Sequence, residues 1–307
     1  MDAAKVLEKV LDEPRVAEVR RVLDVYGRAP GGLLANGLAF TALFSVVPIA
    51  LVTLGVAGLL VDDPAVQQQL AQALGAVLPP LADLVDQALV SMAQGAALTS
   101  IIGVLGLIWT VSQFYVTLDV AFARIFTDRP ERDVLRRTAR GFMWVVGIVG
   151  VAIALIVGGS LAAAAEALLP TSSTALTVFG RIVTSPPVVV LVTVGVVLGI
   201  YIVVPPRSPS VRSAALPAMV AGLGIYLLSQ VFLFAAPRIV GVAALAGPLA
   251  TAFIALAWLS FSFQILLLGA AWVRTRDDAE TAAEETAEEE SALPGAAAPA
   301  EPGVGGE

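Results

Sequence analysis

Between Leu98 and Gly141 the chain reads LTSIIGVLGLIWTVSQFYVTLDVAFARIFTDRPERDVLRRTARG. The first half is an apolar run long enough for a bilayer-crossing helix, for which roughly 20 residues suffice. The second half is a short connection carrying Arg124, Arg129, Arg132, Arg136, Arg137 and Arg140. Arginines beside a spanning helix mark its cytoplasmic end. A soluble core gives no reason for this pairing, so the stretch predicts an all-α, polytopic membrane bundle and fixes its orientation. Composition agrees: 58% of the 307 residues are hydrophobic and 14% are charged. Soluble domains carry about 25% charged residues.

The hydropathy pattern places six spans at about 33–61, 99–121, 142–165, 188–204, 214–236 and 242–273. Pro48 lies near the middle of the first and is expected to kink it. Residues 62–97 cannot span, because Gln67, Gln68, Gln69, Gln72, Asp83, Asp86 and Gln87 have no place in lipid. Val66, Leu70, Leu74, Val77, Leu81, Leu84, Ala88 and Met92 nevertheless recur at helical steps, and Pro79-Pro80 divides the stripe. This predicts an outer helical hairpin over 64–95. With no base in it, a cap over the bundle is favoured over a lipid-surface anchor. Residues 1–30 begin polar, so no cleavable signal peptide is expected. They predict cytoplasmic amphipathic helices, lying at the membrane surface or packed on the protein's own loops.

The bases test this layout. Sixteen fall in segments assigned to the cytoplasm, and only Arg181 and Arg238 fall outside. An even number of spans with both termini inside preserves that asymmetry. The net charge of −7 belongs to the C-terminal end, where eight acids lie in 277–290 and Glu301 and Glu307 follow. Setting these ten aside leaves 15 acids against 18 bases. Residues 276–307 are expected to form a disordered acidic cytoplasmic tail.

Several chemistries lack their residues. The chain has no histidine and no cysteine, which removes the commonest general base and the usual zinc ligands. Its only lysines are Lys5 and Lys9, so it has no phosphate-binding Gly-Lys-Ser/Thr loop. No catalytic residue, metal or cofactor is expected, and no nucleic acid. The remaining candidates are polar residues within spans. Asn36, Ser45 and Pro48 lie in the first, and Gln113, Thr117 and Asp119 in the second. Tyr201 ends the fourth, and Gln264 lies in the sixth. Thr110, Gln113 and Thr117 share one helix face by spacing. Together these residues outline a polar pathway opening toward the cytoplasm. The competing reading is structural: amides and hydroxyls commonly join membrane helices, and Asp119 could pair with Arg124 or another loop arginine.

Four runs together resemble a known family. LAFTALFSVVPIALVTLGVAGLL (38–60) and GVLGLIWTVSQFYVTLDVAFARIF (103–126) are similar to the first two span signatures of the YihY/BrkB family of bacterial inner-membrane proteins. Tyr201–Pro205 and Leu256–Gly269, with Trp258 and a closing LLLG, are similar to two later ones. The resemblance covers roughly 15–273. The chain departs from the family pattern where an acidic residue usually follows LLLG, having Ala270-Ala271. It departs again at Phe40-Thr41, where an aromatic pair is common. The resemblance implies six spans and the cytoplasmic membrane. It leaves the activity open, since members have carried the labels of ribonuclease BN, a serum-resistance virulence factor and a proposed transporter of envelope lipid. The missing histidines speak against the nuclease. Two readings remain. One is a transporter or flippase-like protein for an amphipathic or lipid-linked envelope solute, with membrane lipid as its surroundings. The other is a non-transporting scaffold for envelope-biogenesis partners. Oligomeric state is not legible.

Overall fold

A computed structural model describes residues 14–60, 96–126, 143, 147, 185–242 and 248–292. Among them are six helices and no strand: α1 (Pro14–Arg28), α2 (Gly31–Leu60), α3 (Ala96–Ile125), α4 (Pro186–Val203), α5 (Val211–Val242) and α6 (Pro248–Ala292). The expected outer hairpin (64–95), nearly all of the expected third span (142–165), the arginine-rich residues 129–140 and the terminal residues 293–307 lie outside the described residues.

Among the described residues three stretches are long and apolar enough to cross a membrane, Pro186–Val203, Val211–Ala235 and Ala252–Glu288; Gly31–Ser45 is a shorter apolar helix. Their outward faces are apolar too. Leu191 and Val192 on α4, and Met219, Leu223, Leu227 and Val231 on α5, are all exposed. A continuous exposed surface of this kind suits lipid rather than water.

α6 is the central element. It packs against α2 and α5 along much of its length and touches α1, α3 and α4 as well. α2 also pairs with α3, and α4 with α5. The α4–α5 pair is close because Gly222 has no side chain: a Cβ there would lie 2.7 Å from Val194 Cγ2 and 2.9 Å from Val194 Cα. Gly195 on α4 faces open space instead.

The core gathers at one end. Leu38, Leu118, Phe122, Ile125, Tyr201, Val204, Leu267 and Val273 are fully buried there. Polar ties close that end. Arg274 Nη1 donates to Ile125 O at 2.6 Å, placing a cation on the last carbonyls of α3. Trp272 Nε1 donates to Glu18 Oε1 at 2.6 Å and fastens α1. Ser210 caps α5, its Oγ accepting from Ser213 N at 3.0 Å. Asp277 Oδ1 accepts from Ser210 N at 3.1 Å, and Glu280 Oε2 from Ser210 Oγ at 2.6 Å. The base-bearing α1, the end of α3, the α4–α5 turn and the 272–280 segment of α6 therefore meet at one end of the bundle.

Two expectations are corrected. The helix α6 does not end near Val273 but continues to Ala292, so residues 277–292 of the expected disordered tail are helical. Alanine and glutamate, which dominate this stretch, are strong helix formers. The turn expected at Pro237–Gly241 is also helical, since α5 runs to Val242. Arg238 folds back over the Phe234 ring, 3.5 Å from its centroid, and donates to Phe234 O. That gives a carbonyl near the helix end an extra donor.

Candidate functional site

Pro48 lies within a helix that runs on to Leu60; its side chain, like all of 46–60, is outside the described set. The hydroxyls of α2 and α3 turn back onto their own helices. Ser45 Oγ donates to Ala42 O at 2.7 Å, Thr117 Oγ1 to Gln113 O at 2.9 Å and Thr110 Oγ1 to Gly106 O at 2.8 Å. Such bonds satisfy a hydroxyl without joining helices.

The face of α3 expected to line a pathway is divided. Thr110 is buried, Thr117 and Asp119 are half-buried and Gln113 is exposed beside Trp109 and Val116. Thr117 borders α2, with its Cγ2 3.8 Å from where a Cβ on Gly37 would lie.

Tyr201 is placed differently from the expectation. It does not line an inward-opening cavity but is wholly buried in the apolar core. Its hydroxyl donates to Leu266 O at 2.7 Å, and its ring packs against Phe122 with centroids 6.3 Å apart. The fit depends on Gly269, where a Cβ would overlap the hydroxyl and lie 3.0 Å from Tyr201 Cζ. The neighbouring Ala270 and Ala271 are also fully buried, so an acid at either would have to be desolvated. Around Tyr201 the described core is filled with packed side chains.

Two of the expected residues are brought together by a third. Gln264 Nε2 donates to Ser260 Oγ at 3.2 Å, and Ser260 Oγ donates to Asn36 Oδ1. Gln264 and Ser260 are four residues apart and so share a face of α6. Asn36 reaches them from α2. The result is a polar thread across the α2–α6 seam. It is not sealed: Asn36 is exposed, and Ser260 and Gln264 are half-buried. On α2 the exposed Leu33 and Phe40 lie one turn to either side of Asn36, with Phe44 a turn further on, whereas Phe261 on α6 packs against Phe232 of α5. Phe40 and Phe44 pack at 4.7 Å between centroids. Gln264 lies ten residues before Arg274, roughly 15 Å of helical rise.

Ser260 was absent from the expected site. Its four-residue spacing from Gln264 was the available signal, but nothing in the sequence put Asn36 opposite it. Trp258 has a structural role, donating from Nε1 to Ser229 Oγ at 3.2 Å and so joining α5 to α6.

A family model described as Virulence factor BrkB matches residues 22–294. No curated protein and no solved structure matches the chain.

Proposed function

The chain belongs to the BrkB family and is an integral membrane protein, and from that premise we propose that it moves an amphipathic or lipid-linked envelope solute across the bacterial cytoplasmic membrane. In this reading it has six spans, both termini inside and residues 64–95 as an outer cap. It performs no enzyme chemistry, needs no cofactor and does not bind nucleic acid.

The Asn36–Ser260–Gln264 thread carries the proposal. In this reading Gln264, roughly 15 Å of helical rise from Arg274, lies near mid-depth in a ~30 Å hydrocarbon layer, where lipid disfavours polar side chains unless they meet a partner. A partly open thread flanked on α2 by Leu33, Phe40 and Phe44 offers hydrogen bonds to a headgroup while its tails remain in hydrocarbon. The side-chain-filled core around Tyr201 favours the scaffold over a central aqueous channel, so transport in this reading runs along the seam. With no phosphate-binding loop, movement is driven by a gradient or runs downhill.

The test is translocation of a fluorescent lipid in proteoliposomes, read by chemical quenching of the outer leaflet. The parent protein should speed the loss of inner-leaflet signal, and Asn36→Leu should slow it. A parent rate equal to that of protein-free vesicles would overturn the proposal. Orientation is tested separately in this cysteine-free chain. Ala76→Cys should react with an impermeant reagent from outside, and Ser208→Cys only after permeabilisation.

The helical acidic extension at 277–292 favours the second reading, a scaffold. It is largely exposed and offers partners a charged surface. A scaffold predicts no translocation and loss of envelope partners when the extension is removed.

A further inference from the structure

The thread has a direction. The Gln264 amide donates to Ser260 Oγ, and the single Ser260 proton goes to Asn36 Oδ1. Among the described residues this leaves two free ends. At the α2 end the Asn36 amide nitrogen offers donors, and at the α6 end Gln264 Oε1 offers lone pairs. Donation along a chain of this kind polarises each member in the same sense.

We propose, building on the lipid-moving reading above, that the α2–α6 seam recognises an uncharged, hydroxyl-bearing lipid headgroup, a glycerol or glycosyl unit. A hydroxyl both donates and accepts. Two neighbouring hydroxyls therefore satisfy Asn36 N–H and Gln264 C=O together. A doubly ionised phosphate only accepts. It would satisfy Asn36 but set its oxygens against the lone pairs of Gln264 Oε1. It would also reach mid-depth without a counter-charge from α6, whose nearest arginine, Arg274, lies roughly 15 Å along the helix. Arg274 already donates to Ile125 O and pairs with Asp278 at 3.5 Å. An unpaired anion is far costlier to desolvate than a neutral polar group. The exposed Leu33, Phe40 and Phe44 on the α2 side suit the attached hydrocarbon.

The test uses the full chain in phosphatidylcholine nanodiscs at about pH 9, above the second ionisation of a phosphomonoester, and three probes: dioleoylglycerol, monoglucosyl dioleoylglycerol and dioleoylphosphatidic acid. Binding is read by native mass spectrometry after release. The two neutral probes should bind about three- to tenfold more tightly than phosphatidic acid, the worth of one or two membrane hydrogen bonds. Asn36→Leu and Gln264→Met should each abolish the preference. Asn36 is exposed and Gln264→Met nearly conserves volume, so both variants should keep the parent's thermal transition. Thr193→Ala, on an α4 hydroxyl bonded to its own helix, should retain the preference. Phosphatidic acid binding as tightly as the neutral probes, and lost in Asn36→Leu, would overturn the headgroup assignment but leave a lipid-handling seam. Binding of all three probes unaffected by either seam variant would overturn both.

Discussion

Gly269→Ala tests whether the base-rich end is packed as described. On an exposed helix this change would stabilise by about 1 kcal/mol, because alanine is the better helix former. Here the new methyl would overlap the Tyr201 hydroxyl and lie 3.0 Å from Tyr201 Cζ and 3.1 Å from Ala221 Cβ. Tyr201 is walled in by Phe122 and other buried residues, so moving it costs about 1–3 kcal/mol of overpacking. Displacement also breaks the 2.7 Å bond to Leu266 O and leaves a buried hydroxyl unpaired, for about 1–3 kcal/mol more. Offset by the propensity gain, the net destabilisation is about 1–5 kcal/mol. Tyr201→Phe alone should cost only about 0.5–1.5 kcal/mol, since Leu266 O can still accept within the helix. The double variant loses the overlapping oxygen, so it should be more stable than the sum of the singles by at least ~1 kcal/mol. The assay is a double-mutant cycle in micelles, with unfolding followed by tryptophan fluorescence. Additive effects, or a Gly269→Ala protein more stable than the parent, would refute the packing argument.

Ser210→Ala removes the α5 cap and the contact with Glu280; it should cost about 1 kcal/mol and speed amide exchange at Ser213, and unchanged exchange would count against the cap. Glu18→Ala removes the acceptor of the Trp272 indole, so α1 should become a site of rapid limited proteolysis while the spans stay protected. Residues 277–292 should remain helical in full-length protein, and isotropic backbone resonances for them would restore the disordered tail. Gln113→Leu and Asp119→Asn should translocate lipid like the parent, because the thread lies between α2 and α6; a loss in either that matches Asn36→Leu would put α3 in the pathway.

Helix existence was readable where apolar runs exceed the bilayer's need, which is why α2, α3 and α4 begin and end within a few residues of their expected spans. The helix over 277–292 was missed because net charge suggested a solvated coil, while its alanine and glutamate content argued locally for a helix. Asn36 and Gln264 stood out because lipid penalises amides. Their junction at Ser260 did not, since it joins residues more than two hundred positions apart and depends on how α2 is rotated against α6. Tyr201 shows the same limit. Its depth followed from the direction of travel, but its burial follows from Gly269 on another helix. The close approach of α4 and α5 at Gly222 was equally illegible, because sequence spacing does not say which face of a helix meets a neighbour.

Because α6 is unbroken from Pro248 to Ala292, Ser260 and Glu280 belong to a single rod. About twenty residues separate them, roughly 30 Å of helical rise. One position holds the polar thread, and the other grips the start of α5 through Ser210. With no break in the helix between them, a displacement of Glu280 from Ser210 would be passed along α6 toward the Ser260–Asn36 contact.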